Sequence, residues 1–472
     1  MRLASFLFLM LAAWVQAQMP ELKFRQNGEF KILQFTDIHW SDDPAYTDKT
    51  SATLRAVMAK EKPDMIVLTG DNVNCIPMKN GLEHLGKIIE EANTPWTMIF
   101  GNHDEEQDLS RSQIYDYMIK FPHFFGEKGN VKGIGNFSVP VFKSNANDVA
   151  AALYFIDSGD YTRNPKLGSY DWIRKDQIQW YAQTSHQYKQ KYGKVLPSLM
   201  FFHIPLQEYN QAAKDPSVTG HVGEDVSSSE VNSGMFAALL EQKDVMGVFC
   251  GHDHNNNYIG IHQGIALGYG SKTGTDGYGE LEQGGRVIIL KEGKFAFNSY
   301  ISTPKQTQYK FSYPAGVSEI TPETQVLKAL KVNPKNAGLN FKYFEGNAES
   351  VKDIAKMKFI KKGIAQSIGL KDATAEDHFA LTFDGYIKVP ETGFYKFYTY
   401  SDDGSVLKID GKTVVDNDGG HSATRKEGTI ALEKGFHKIE ILYFEDYMGQ
   451  VLDVGISSIT LEEQNLDSTI YN

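Results

Sequence analysis

Five short apolar runs in the first half of the chain each stop at a polar cluster. They are FKILQFTD (30–37), DMIVLTGD (64–71), WTMIFGNHD (96–104), LMFFHIP (199–205) and VMGVFCGHDH (245–254). Short, nearly continuous apolar runs bounded by polar residues are how buried strands read in a sequence. The segments between them, such as TSATLRAVMAKEK (50–62) and NGLEHLGKIIEEAN (80–93), carry helical spacing and good helix formers. Strand–helix alternation predicts an α/β domain over residues 22–302. Ligands of such sheets gather at the carboxyl ends of the strands, so the five polar clusters are expected to meet at one edge.

The pattern then changes. Residues 303–336 hold four of the 16 prolines (Pro304, Pro314, Pro322, Pro334) without strong periodicity, and read as a linker with a short helix at ETQVLKALK (323–331). Further on, GYIKVPETGFYKFYTYSDDGSVLKIDGKTVVDNDGG (385–420) alternates with period two and turns at Asp-Gly pairs. That predicts an all-β domain, a sandwich, over residues 337–462.

Length and composition suit a two- or three-domain globular protein, with 472 residues and 41% hydrophobic positions. A formal net charge of −11 argues against a nucleic-acid partner, since phosphate backbones attract basic faces. It leaves room for a small phosphorylated substrate, because bound divalent ions reverse a local field. The start MRLASFLFLMLAAWVQAQ has a basic residue, an apolar stretch and an A-x-A-like end at Ala17. Residues 1–17 are therefore expected to be a signal peptide and the protein to be exported, periplasmic or secreted, with no membrane span. Two cysteines, Cys75 and Cys250, make no disulfide framework, although export permits a bridge.

The strand ends bring together Asp37, His39, Asp71, Asn102, His103, Asp104, His203, His252 and His254. Carboxylate, amide and imidazole donors without a thiol suit Mn, Fe, Zn or Co rather than a cysteine-rich structural site. One ion needs about four to six ligands, so a larger set reads most simply as two ions sharing a bridge. Taken singly, each residue could equally be a capping Asp or a satisfied His, and HxH alone could be a polar turn.

TDIH, GDN, GNHD, the isolated His of FFHIP, and GHDH resemble, in order, the five signatures of calcineurin-like metallophosphoesterases over residues 25–300. FHIPLQEYNQ, VNSGMF and GSKTGTDGYG are similar to the purple-acid-phosphatase-like branch of plants and fungi. Motif one here is Asp-Ile-His, and the Tyr ligand to iron of the purple enzymes has no counterpart there. The resemblance implies an α/β (α+β) fold, a four-layer sandwich of two mixed β-sheets flanked by helices. It implies that Asp37, His39 and His254 hold one transition-metal ion, that Asn102, His203 and His252 hold a second, and that Asp71 bridges them. His103 would be the acid that protonates the leaving oxygen, with Asp104 orienting it. Two such cations lower the pKa of a shared water and neutralise phosphate oxygens.

The β-domain resembles the protective-antigen-like module of toxins, glycosidases and adhesins through YSDDGSVLKIDGKTVVDNDG (400–419). Some members bind Ca²⁺ and a sugar at an Asp pair, which Asp402 and Asp403 match, with Asn417 assisting; Asp-Asp-Gly is also an ordinary turn. Tyr269, Lys272 and Tyr278 are candidate cleft contacts or plain loop residues, and Glu208 and Tyr209 candidate substrate contacts. The expected function is an exported dinuclear phosphohydrolase, a phosphomonoesterase with a phosphate-ester substrate and a glycan as partner of the β-domain. A phosphodiesterase, or an adhesion protein with a vestigial catalytic domain, stands as the alternative.

Overall fold

The computed structural model describes residues 19–215, 218–317, 320, 322, 324–461 and 463–472, so the signal-peptide segment lies outside the described residues. The five apolar runs are strands, Glu29–Phe35, Met65–Thr69, Trp96–Ile99, Ser198–Phe201 and Val245–Cys250. They do not share one sheet edge. The first three lie side by side and parallel in a six-stranded sheet, continued on the other flank of Glu29–Phe35 by antiparallel Gly285–Lys291, Phe297–Ser302 and Thr307–Tyr313. The last two are adjacent and parallel in a separate seven-stranded mixed sheet.

Alternation within the strands shows how the two sheets stack. Ile32, Met65, Val67 and Ile99 belong to the core shared with Leu199, Phe201, Val248 and Phe249 of the other sheet. Leu33, Phe35, Ile66 and Leu68 pack with Leu54, Val57, Leu82, Leu85 and Ile114 of helices Pro44–Glu61, Met78–Glu90 and Arg111–Met118. On the far side, Tyr181 of helix Lys175–Tyr192 and Phe236 and Leu239 of Met235–Gln242 cover the seven-stranded sheet. The layers run helix, sheet, sheet, helix. Both faces of each strand are therefore buried, which is why the runs read as nearly unbroken apolar stretches.

Buried contacts tie the sheets together beneath the polar ends. Gln34 donates from Nε2 to Thr69 Oγ1 and Cys250 O, both at 2.9 Å. Arg286, fully buried, donates to Tyr269 O at 2.5 Å, Asn257 O at 2.6 Å and Ser299 Oγ at 2.9 Å. Both cysteines are free thiols, Cys250 buried and Cys75 partly so.

The segment read as a linker begins with the edge strand Thr307–Tyr313, whose alternation is too polar to stand out in the sequence. The helix expected at 323–331 does not form over its described residues; Leu327 and Leu330 instead bridge to Leu432 and Phe436 of the following domain. That domain packs a sheet containing Phe379–Val389 and Gly435–Glu445 on a four-stranded sheet containing Gly393–Asp402 and Val451–Ser458. Phe383, Ile441, Tyr395, Phe397 and Ile456 meet in its core, so the aromatic strand FYKFYTY fills the sandwich with every second residue. Among the described residues no helix is long and apolar enough to cross a membrane.

Candidate metal centre

The chain leaves these strands through turns that ordinary residues resist. Asp37, His39, Asp71 and His252 have φ of 50°, 43°, 52° and 84°, a region that costs a non-glycine residue of order 1 kcal/mol or more. Cross-links between the turns hold them. Asp37 N–H donates to Gly70 O at 3.1 Å and His39 N–H to Asp71 O at 2.8 Å. His252 N–H donates to the Asp37 carboxylate at 3.1 Å, lacing the fifth motif to the first. The glycine of each G-ligand pair is needed for close approach: a Cβ on Gly101 would strike Asp71 Oδ1, and one on Gly251 would strike Thr36 Oγ1.

Two groups of buried side chains result. Asp37, His39 and His254 place ligand atoms within 4.8 Å of one another, and Asp71, His203 and His252 do the same. Asn102 joins the second, its Oδ1 3.2 Å from His203 Nε2. Asp71 lies between the groups: its Oδ2 is 3.2 Å from His203 Nε2 and 3.8 Å from His39 Nε2, while its Oδ1 accepts from His103 N–H at 2.9 Å.

The ring nitrogens show that cations fit here. His203 pairs through Nδ1 with Thr69 O and His254 through Nδ1 with Tyr278 O, both at 2.8 Å. A carbonyl can only accept, so each Nδ1 carries a proton and each ring turns its Nε2 inward. Those Nε2 atoms face Asn102 Oδ1 and Asp71 Oδ2 for His203, and His39 Nε2 at 3.2 Å for His254. Only a proton or a metal ion between them reconciles this arrangement. His252 Nε2 is buried without a hydrogen-bond partner among the described residues, as a ligand nitrogen would be.

The titration shifts agree. Burial lowers His39 to about 4 and His252 to about 3, keeping both as neutral bases with lone pairs to give. Burial opposes the Asp71 charge, but His203, His39 and His103 together hold its carboxyl well below the usual range. Burial likewise opposes the charged form of His203, yet the Asp71 carboxylate lifts it to about 9. A metal ion held there would take the place of that proton.

One sequence assignment changes. Asp104 does not orient His103. Its buried carboxylate accepts from Gly101 N–H (2.8 Å), Asp71 N–H (2.9 Å), Asn72 N–H (2.8 Å) and Asn72 Nδ2 (2.9 Å). It is a clamp between the second and third motifs. The partner of His103 is Glu106, with Oε2 2.7 Å from Nδ1. One turn of chain brings i and i+3 together, a spacing visible in HDEE.

Among the lesser candidates, Tyr278 stacks on His254 with centroids 4.1 Å apart and is half exposed. Lys272 is buried, its ammonium on Asp276 O. Tyr269 and Tyr209 are fully buried, bonded to Asp253 and to Val248 O, and are core rather than cleft residues. Glu208 accepts from Asn232 Nδ2 at 3.0 Å.

A sixth strand end escaped the sequence reading. Val149–Phe155 runs parallel to Ser198–Phe201 and leads into Asp157 and Tyr161. Asp157 pairs with Arg111, and Tyr161 Oη accepts from Asn102 Nδ2 at 2.9 Å. Tyr170 sets its ring edge-on against His252, centroids 4.5 Å apart. VAAALYFID has the same apolar-run-then-Asp form as the other five and could have been found by it.

The clamp role of Asp104 is testable. Asp104→Ala strands four buried donors and is expected to lower folding stability by about 3–5 kcal/mol, with a smaller loss for Asp104→Asn. Urea unfolding measures it; an unchanged midpoint would return Asp104 to a role at His103 alone.

The profile of the calcineurin-like phosphoesterase family matches residues 30–256, and that of the PA14 domain matches residues 336–467. The chain is 32% identical over 335 residues to probable inactive purple acid phosphatase 29 of Arabidopsis thaliana, covering 62% of this chain and 86% of that relative. It is 30% identical over 269 residues to phosphatase DCR2 of Saccharomyces cerevisiae, covering 50% and 46% respectively. Among solved structures, a dimetal phosphatase from Danio rerio aligns at 11% identity with a TM-score of 0.44, covering 60% of this chain and 98% of that one. With five motifs in family order and two buried donor groups joined at Asp71, the chain belongs to the calcineurin-like phosphoesterase family and is a metallophosphoesterase carrying a C-terminal PA14 domain.

Proposed function

We propose that the protein is an exported phosphomonoesterase working with two divalent or transition-metal ions, Fe, Mn or Zn. The observation that carries this is the position of Asp71, one carboxylate oxygen facing imidazoles of both donor groups. Asp37, His39 and His254 would hold one ion and Asn102, His203 and His252 the other, with Asp71 available to both. When bound, such ions neutralise phosphate oxygens and make a water nucleophilic near neutral pH. Hydrolysis forms a bond from water oxygen to phosphorus and breaks the ester P–O bond, whose electron pair leaves on the alcohol oxygen. That oxygen takes a proton from His103, which is held by Glu106 and partly exposed.

Some relatives are named as inactive purple acid phosphatases. All seven metal-facing side chains and His103 are in place here, which favours an active enzyme over a vestigial one. No tyrosine stands in motif one, so the iron–tyrosinate of purple enzymes is not part of the proposal.

For the PA14 domain we propose attachment to a glycan or cell-surface polysaccharide. Asp402, Asp403 and Glu445 bring carboxylate oxygens within 4.8 Å, and oxygens alone suit Ca²⁺. Glu445 Oε1 and Asn417 Oδ1 are buried there without partners, and Tyr447 and Met448 lie exposed on the adjoining loop.

The full-length protein, stripped with chelator and reloaded with each metal, should be assayed on phosphomonoesters and phosphodiesters. Metal-dependent turnover with monoesters favoured is expected; full activity after stripping, or turnover of diesters alone, would contradict the reading. The His103–Glu106 pair has its own signature. Glu106→Gln should lower kcat on alkyl phosphates by about 10–100-fold with KM nearly unchanged, and by less on nitrophenyl phosphate, whose leaving oxygen needs less help. Equal losses on both esters would make the pair structural.

A further inference from the structure

A cleft of about 610 Å³ opens at the strand end that carries Asp157 and Tyr161. Its wall includes Tyr161, which accepts from Asn102 Nδ2 at 2.9 Å and stands edge-on to His103 with ring centroids 6.1 Å apart. Glu105, two residues beyond His103, lines it as well. An acid that protonates a leaving oxygen must be within hydrogen-bond reach of it. The leaving alcohol therefore lies on the side of His103, and Tyr161 joins that side to this cleft.

Its charges are unevenly spent. Two arginines are fixed: Arg111, buried, is bound to Asp157 and to Gly101 O, and Arg174 is bound to Asp171 at 2.5 Å and lies 3.7 Å over the Trp172 ring. Two further cations, Lys132 and Arg163, line the same cleft and have exposed side chains. Neither ammonium nor guanidinium has a hydrogen bond or ion pair with another described residue. Against them stands Asp160, with Glu105 drawn 3.7 Å from Arg111. In a chain of net charge −11, two unspent cations on the leaving-group side form a local site for a second anion.

We propose that this cleft is the leaving-group subsite, and that it selects phosphate esters whose alcohol carries a second phosphate. Arg163 and Lys132 engage that second phosphate. A guanidinium takes two of its oxygens at once and an ammonium acts as a point charge. The Trp172–Arg174 pair supplies a rigid floor for the carbon skeleton between the phosphates. This rests on the phosphomonoesterase reading and adds the class of substrate.

The test uses the metal-loaded full-length protein with three esters: nitrophenyl phosphate, fructose 6-phosphate and fructose 1,6-bisphosphate. The wild type should favour the bisphosphate over the monophosphate by tenfold or more in kcat/KM. A double variant, Arg163→Ala with Lys132→Ala, should lose that preference through KM and keep its nitrophenyl phosphate activity within twofold. Turnover of nitrophenyl phosphate without a bisphosphate preference overturns the subsite and leaves the phosphomonoesterase reading standing. So does an equal loss on all three esters in the double variant. No turnover of any ester removes that reading, and the subsite with it.

Discussion

The catalytic domain is organised around one buried carboxylate. Asp71 is 2% exposed, has no arginine or lysine partner among the described residues, and lies between imidazoles from three different loops. A buried carboxylate without compensation is expensive, and several kcal/mol ride on its neighbours. The fold supplies those neighbours from both sheets: His39 from the six-stranded sheet, His203 from the seven-stranded one. Two sheets must therefore end at the same depth, and the contacts beneath the site see to that. Gln34 reaches across to Cys250 O, and Asp104 fixes the backbone on either side of the second and third motifs.

Strain is distributed around the same point. Four of the seven metal-facing residues have left-handed backbone, each held there by a bond to another motif rather than by its own strand. The turns thus aim side chains that regular strands would point into the sheet faces. A donor set built this way is rigid before any ion arrives, which suits a site whose cations must lie at fixed separation.

Much of this was legible in the sequence. Both-face burial writes itself as unbroken apolar runs, so the five strands and the polar residues after them stood out, and motif order supplied the donor groups. Three things did not show. The split of the runs between two sheets left no mark, because a strand looks alike in either. That Glu106 and not Asp104 meets His103 depends on where one turn points its carboxylates: Asp104 inward to four N–H donors, Glu106 outward to His103. The strand Thr307–Tyr313 is an edge with a half-exposed, polar face, and Leu327 and Leu330 bridge to the PA14 domain instead of forming a helix, because tertiary contact outweighs a modest helical preference. Tyr269 and Tyr209 looked like cleft residues by proximity to motifs but are buried between the strands and the helices that cover them.

The central claim is that Asp71 lies between two cation positions. Anomalous diffraction from crystals of the full-length protein grown with Mn²⁺ tests it most directly. Two anomalous peaks about 3.5–4 Å apart, on either side of Asp71 Oδ2, are predicted, one beside His39 and His254 and the other beside His203 and His252. A single peak, or ions that leave Asp71 uncoordinated, would contradict the account.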